Sequence, residues 1–351
     1  MTPKVALKLI VPAAFFGYAA VANLALLSAP DVAPLRGAGL MTGAITQELD
    51  TLYRENLPHK DPSVGVIGAL RYALLDEGRP GVVVGADGVL FTAEETRPVD
   101  DDGYGRAVAE VARVAAVLDD AGVGLVVAPV PAKIDLLRAA APDATAARGL
   151  EALHARFVAD LTARGIAAVD ARPALSALPE PFVATDTHWT PAGAEAVAGA
   201  VARSGAVAPG DTVFAVERDA PVSFAGDLVS FVTADWLAPV VGLAPVEIAP
   251  YRAVAAADAM GALDLFGGGG GGVDLVGTSY SANPHWGFAE ALKLALGRDV
   301  INHAEEGRGP VAPMLAYLDG LDPLAPPEAV IWEIPVRYLT DPALVPGGAA
   351  D

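Results

Sequence analysis

A serine hydroxyl becomes a nucleophile once a positioned base takes its proton, and that base needs an acid to orient it. The chain holds five histidines and no cysteine, so a thiolate nucleophile or thiolate zinc site is excluded. His188 stands out among the histidines by its surroundings, "ATDTHWTPAGAEAVA" over residues 184–198. Thr190-Pro191 reads as a helix start, with Thr190 as cap and Pro191 at the first helical position. His188 then sits just ahead of a helix N-terminus, whose dipole disfavours imidazolium and keeps the ring ready to accept a proton. Asp186, two residues back, can reach the same side of an extended segment and steady the ring once it is charged. The alternative is a solvated loop with a chance histidine. A metal site lacks a third ligand at a recognisable spacing.

The matching nucleophile is Ser279 in "VDLVGTSYSANPHWGF", residues 273–288. "VDLV" reads as a buried strand, and Asn283-Pro284 as a second cap-plus-first-turn signal. Strand, tight loop and helix put Ser279 at the carboxyl edge of a sheet, where open α/β folds carry their sites. Gly277 allows a close backbone turn, and the amides of Thr278, Ser279 and their neighbours can face an oxyanion. A plain turn is the competing reading, because Gly, Ser and Asn are turn residues. Ser281, the rival hydroxyl, looks more like a cap, and His285 and His303 read as surface or supporting residues.

Elements with the right rhythm surround these residues. "GVVVGADGVLF" (81–91) reads as a hairpin. Helices over 104–120 and 145–164 alternate with strands at "GVGLVVAPV" and "GIAAVD". Another helix follows "TPAG", and strands at "VDLVG" and "AVIWEI" flank a helix from about 284 to 297. Short apolar strands separated by helices predict an α/β fold, a parallel sheet covered on both faces. Asp61-Pro62 opens a further helix, "SVGVIGALRYALL", and a short one lies near "AITQELDTLYREN". Residues 205–272 break the rhythm and read as an insertion or cap. Its run Gly267 to Gly272 is a flexible tether, since a phosphate loop would add a Lys-Ser/Thr.

The bulk numbers bound the function. With 351 residues the chain holds one large domain or two ordinary ones, and 53% hydrophobic residues suffice for a sizeable core. The net charge of −20 lacks the basic footprint of a nucleic-acid binder. It favours solubility and would repel long polyanions unless a groove is locally basic. Lys4 and Lys8 precede "LIVPAAFFGYAAVANLALL", residues 9–27, nineteen positions without a charge. That length approaches a bilayer span, and the flanking charges put the bulk of the chain outside. The organisation expected is a signal anchor at 1–30, which cleavage after "ALLSAP" would remove, a linker at 31–60, and a catalytic domain at 61–345 with an insertion at 205–272.

Together "DTHWTPAGA", "LVGTSYSANPHWGFAEALKLALGRDVIN", "EEGRGP" and "VIWEIPVRYL" resemble the alginate O-acetyltransferase family of the AlgJ/AlgX type, with its SGNH-hydrolase-like domain. "GRPGVVVGADGVLF" and "APVPAKIDLL" extend the resemblance to about residues 54–341. It implies a Ser279–His188–Asp186 triad on a circularly permuted SGNH-hydrolase-like fold, since acid and base precede the nucleophile. It further implies that Arg308 and Tyr338 lie beside the serine, to meet the oxyanion or the acyl group. Arg308 pairing with Glu305 or Glu306 on the surface is the alternative. Val89, Val336 and His285 depart from the family's usual tryptophan, glutamate and arginine. The implied activity is O-acetylation of a secreted exopolysaccharide in the periplasm through an acetyl-serine, with no cofactor. A multi-pass membrane O-acyltransferase would be the partner that supplies acetyl. A polysaccharide acetyl esterase and a non-catalytic polysaccharide-binding scaffold remain the other two readings.

Overall fold

The computed structural model of the protein describes residues 3–28, 43–256 and 272–341. Along the chain run α1 (Pro3–Leu27), α2 (Ala44–Asn56), α3 (Lys60–Leu75), β1 (Val82–Val84), β2 (Leu90–Thr92), α4 (Asp101–Asp120), β3 (Gly124–Val130), α5 (Lys133–Leu136), α6 (Ala144–Ala163), β4 (Ala167–Ala168), α7 (Arg172–Ser176) and α8 (Pro191–Ser204). There follow β5 (Phe214–Arg218), β6 (Val222–Phe224), β7 (Val246–Ile248), β8 (Tyr251–Ala255), β9 (Val273–Val276), α9 (Ser279–Ala282), α10 (Phe288–Leu296), β10 (Val300–Asn302), α11 (Val311–Gly320) and β11 (Ala329–Pro335).

Five strands form one parallel sheet in the order β10-β9-β11-β3-β4. Their side chains alternate between two apolar layers, as strand geometry requires. Val126, Ala128, Val273, Leu275 and Ile331 pack with α8 and α10 on one face. Val127, Val276, Val330, Trp332 and Ile334 pack with α4, α6 and α11 on the other. Two covered faces explain why β9 and β11 read as nearly unbroken apolar runs. The register matters for the site. Ala329 of β11 pairs with Val273 of β9, so β11 continues past the end of β9 and carries Glu333 beneath the turn after it.

The hairpin read at 81–91 is β1-β2, paired antiparallel from Val82↔Thr92 to Val84↔Leu90. The segment read as an insertion forms two small antiparallel pairs, β5 with β8 and β6 with β7, with a 3-10 turn over Asp227–Phe231 in the connection from β6 to β7. Most of the six-glycine run lies outside the described residues. Three readings need correction. Asn283-Pro284 does not start the helix: Asn283 Oδ1 accepts the His285 amide at 3.0 Å, and α10 begins only at Phe288, after Gly287 at φ 65°. That turn brings Trp286 inward. The helix expected at Asp61-Pro62 starts slightly earlier, at Lys60. The segment from Asp186 to His188 is a turn, not extended backbone, closed by Val183 N to His188 O at 3.1 Å and a Phe182–Trp189 bridge. The expected anchor lies within α1; among the described residues no helix is long and apolar enough to cross a membrane.

One buried ammonium ties these parts together. Lys133, 1% exposed just past β3, donates from Nζ to the carbonyls of Leu90, Val183, Ala184 and Asp186 at 2.6–2.8 Å. Burial lowers its pKa to about 8, while the charges of Glu95, Asp186 and Asp227 work the other way. It therefore remains mostly an ammonium at neutral pH, able to serve oxygens that have lost water. Lys133→Met is expected to leave those carbonyls buried and unpaired, costing about 3–5 kcal/mol, measured by urea denaturation of the purified protein. A loss below about 1 kcal/mol would show that the loop holds its shape without this residue.

Candidate active site

Each site residue sits beyond the carboxyl end of a strand or on the loop facing it. Ser279 opens α9 three residues after β9, with Thr278 as cap accepting the Tyr280 amide. The turn is shaped from below by Glu333. Its carboxylate accepts the Thr278 amide at 2.8 Å, the Thr278 hydroxyl at 3.0 Å and the Ser281 hydroxyl at 3.1 Å. Burial pushes the Glu333 carboxyl up, and the donors from Thr278 and Ser281 pull it back. Gly277 is required by close approach: a Cβ there would lie 2.6 Å from Glu333 Oε2 and 2.9 Å from Glu333 Cβ.

Across from the serine lies the turn that carries His188. Thr190 caps α8 by accepting the Gly193 amide at 3.1 Å, and Pro191 takes the first turn, as the sequence predicts. Ser279 Oγ is 2.7 Å from His188 Nε2, and His188 Nδ1 is 2.6 Å from Asp186 Oδ1. Asp186 Oδ1 also accepts the His188 amide at 2.8 Å, while Oδ2 accepts the Asp227 amide at 2.7 Å. Burial raises the Asp186 carboxyl, but His188 and the two amides outweigh it and hold it below the usual aspartate range. A carboxyl held low in this way suits an orienting acid. Trp286 stacks on the imidazole with ring centres 5.3 Å apart, and Tyr280 lies at 4.7 Å.

The structure thus brings Ser279, His188 and Asp186 together from positions up to 93 residues apart, an arrangement able to form and break an acyl-serine. It places the other expected residues differently. Thr278 turns both its amide and its hydroxyl to Glu333, so neither is available to an oxyanion. Arg308 forms the exposed pair with Glu305, Nη1 to Oε2 2.7 Å. Its loop nonetheless runs beside the nucleophile turn, with the Glu305 amide on the Gly277 carbonyl. Tyr338 is half-buried against Arg337, Nη2 to Oη 3.4 Å.

Residues the sequence analysis missed complete the frame. Arg337, 5% exposed, donates to Tyr280 Oη at 2.7 Å and to Glu94 at 3.0 Å. Burial opposes its charge, yet Tyr280, Tyr338, Glu94 and Glu95 hold the guanidinium above its ordinary range. Tyr280 Oη in turn donates to the Thr187 carbonyl at 2.7 Å, linking the nucleophile's neighbour to the histidine's. Glu95 accepts the Lys133 amide at 2.7 Å. Arg337 adjoins the tyrosine already singled out in "PVRYL", but nothing in its spacing marks it as buried. Asp186, His188 and Asp227 lie close enough to hold a cation. Both Asp186 oxygens and one of Asp227 already accept N–H groups, which suits a hydrogen-bonded triad better than a metal.

Gly277→Ala is expected to push the turn off Glu333 and cost about 1–3 kcal/mol through overpacking, lowering the melting temperature by several degrees. Calorimetry and the rate of Ser279 acylation check this together; an unchanged melting temperature would show that the turn can shift freely.

Similarity to known proteins shows the family and the fold. A family model described as "SGNH hydrolase-like domain, acetyltransferase AlgX" matches residues 82–336. The "Probable alginate O-acetylase AlgJ" of Pseudomonas fluorescens is 38% identical over 315 residues, 86% of this chain and 79% of that protein. Its namesake in Pseudomonas aeruginosa is 36% identical over 344 residues, 91% of this chain and 86% of that one. The solved O-acetyltransferase domain of Pseudomonas putida AlgJ superposes with a TM-score of 0.65 at 33% identity, covering 75% of this chain and 93% of that one. Pseudomonas aeruginosa AlgX shares the fold at a TM-score of 0.57 and 23% identity, covering 74% and 66%. The chain belongs to the family of SGNH-hydrolase-like acetyltransferase domains of the AlgJ/AlgX type.

Proposed function

We propose that the protein is an O-acetyltransferase of a secreted, alginate-type exopolysaccharide, working through an acetyl-Ser279 intermediate. The observation that carries this reading is the unbroken Ser279–His188–Asp186 hydrogen-bond chain at 2.7 and 2.6 Å, in a chain whose relatives are named alginate O-acetylases. His188 Nε2 takes the Ser279 proton as Oγ attacks the acetyl carbonyl of a donor. The tetrahedral intermediate collapses, the leaving group takes the proton from His188, and acetyl stays on Oγ. A sugar hydroxyl then gives its proton to His188 and attacks the acetyl-serine. Collapse of the second intermediate returns the proton to Oγ and releases the acetylated sugar. Asp186 stabilises the imidazolium in both halves. The Ser279 amide, which has no acceptor among the described residues, is suited to the oxyanion. Arg308 and Tyr338 are the side chains we assign to the acyl group and acceptor. The order Asp186, His188, Ser279 supports reading the fold as a circular permutation of ordinary SGNH esterases.

The uncharged run 9–27 supports an anchor in the inner membrane with the domain in the periplasm. Within α1 the side chains of Ile10, Phe15, Phe16, Val21 and Leu24 are all exposed, a pattern that water does not favour. Tethering would hold the site beside the multi-pass acyltransferase that must export acetyl.

Incubating the protein with an acetyl ester and mapping peptides by mass spectrometry is expected to find acetyl on Ser279. Ser279→Ala abolishes it, and Asp186→Asn slows turnover by about 10³–10⁴-fold. A Ser279 that stays unmodified while a known serine esterase is acylated removes the reading. Adding oligouronate separates transfer from hydrolysis, since an acetylated oligosaccharide is expected to appear.

A further inference from the structure

The insertion touches the acid–base turn at Gly226-Asp227. A Cβ on Gly226 would lie 2.1 Å from the Thr185 carbonyl oxygen, so the glycine lets the two backbones meet. The Asp227 amide donates to Asp186 Oδ2 at 2.7 Å. Asp227 Oδ1 accepts the Thr187 amide at 2.8 Å, and Oδ2 lies 4.0 Å from His188 Nδ1. The other end of this short stretch is fastened as well, through the Arg79 amide on the Phe231 carbonyl at 2.8 Å and Thr233 Oγ1 on the Gly65 carbonyl at 2.9 Å.

We propose that Asp227 is a positioning residue of the acid–base turn: its amide fixes the plane of Asp186, and its carboxylate holds Thr187 and faces the imidazolium as a second negative charge. This rests on the acyl-transfer reading above. Asp186 Oδ1 serves two N–H groups of His188, which leaves the carboxylate free to swing unless Oδ2 is also held. The Asp227 amide supplies that hold. The charge acts when the imidazole is protonated, in both tetrahedral intermediates. Around the ring stand Asp186 on its own turn, Asp227 from the insertion, Tyr280 from α9, and the Lys133 ammonium on the Asp186 carbonyl. Trp286 closes one face without charge. Partial desolvation against the turn and the neighbouring Asp186 raise the Asp227 carboxyl, which is still 45% exposed, above the usual range, with His188 and Thr187 opposing.

The test follows the ring of His188 by NMR titration in the full chain and in Asp227→Asn, which keeps an acceptor for Thr187 but removes the charge. The midpoint is expected to fall by about half a unit to one unit, as a charge at this distance in a partly aqueous setting implies. The acid limb of kcat/KM for acetyl-ester cleavage moves the same way, with kcat about tenfold lower and KM little changed. Asp227→Glu restores the midpoint, and Asp227→Ser is the second charge-free variant if the first folds poorly. An unmoved midpoint in the charge-free variants overturns the proposal. Acetyl-ester cleavage that survives in Ser279→Ala would instead overturn the acyl-transfer reading.

Discussion

The site depends on the distance between one imidazole and one hydroxyl that belong to different segments of the chain. Ser279 reaches its place through β9 and the Glu333-braced turn, His188 through a turn that, among the described residues, pairs with no strand of the central sheet. A 2.7 Å contact between two such segments survives only if the turn of residues 183–188 cannot drift. Four tethers prevent drift: Lys133 on its carbonyls, the Leu90 amide on the Ala184 carbonyl, Tyr280 on the Thr187 carbonyl, and the Asp227 amide on Asp186. Each bonds from a different direction and comes from a different part of the sequence.

Two of these tethers lead to buried charge, and that choice has a physical reason. Lys133 and Arg337 are both almost wholly buried. Burying ions costs several kcal/mol each, and well-packed apolar residues would often be at least as stable. What apolar residues cannot do is satisfy the carbonyls of an irregular turn. A lysine ammonium carries three protons and can serve several carbonyls at once, and a guanidinium can bond two partners in fixed directions. The molecule therefore uses ions where it needs direction more than stability, and apolar packing in the two layers flanking the sheet.

Much of this was legible in the sequence. The hairpin, the parallel α/β pattern and the Ser279, His188 and Asp186 set rest on local signals: alternating runs, a Thr-Pro helix start, a strand ending in Gly-Thr-Ser. The frame was not legible, because its signals are not local. Lys133 sits in "APVPAKIDLL" like any surface lysine, and only the fold brings Leu90 and Val183 to it. Asp227 lies in a segment without periodicity, and its role depends on a backbone amide that composition cannot reveal. The misplaced start of α10 has a related cause. Asn283-Pro284 is a valid helix signal, but the stacking of Trp286 on His188 required a turn there first.

The net charge of −20 would weigh against the polyanionic acceptor proposed above, and the answer is local. At physiological salt the field of a surface charge decays over about 8 Å, so distant carboxylates on α4 or the far ends of the sheet contribute little at the serine. The charges bonded into the site and its frame are of both signs, Asp186 among them. Lys133 and Arg337 lie beneath the site, and the Arg308 guanidinium is exposed on the loop beside the nucleophile turn. Glu305 neutralises Arg308 only weakly, because an exposed pair of this kind contributes about 1 kcal/mol or less. A polymer carboxylate, which arrives with many copies of its charge, can compete with a single glutamate for that guanidinium. The overall acidity then acts on solubility and long-range approach, while acceptance of the proposed uronate would depend on the few groups around Ser279.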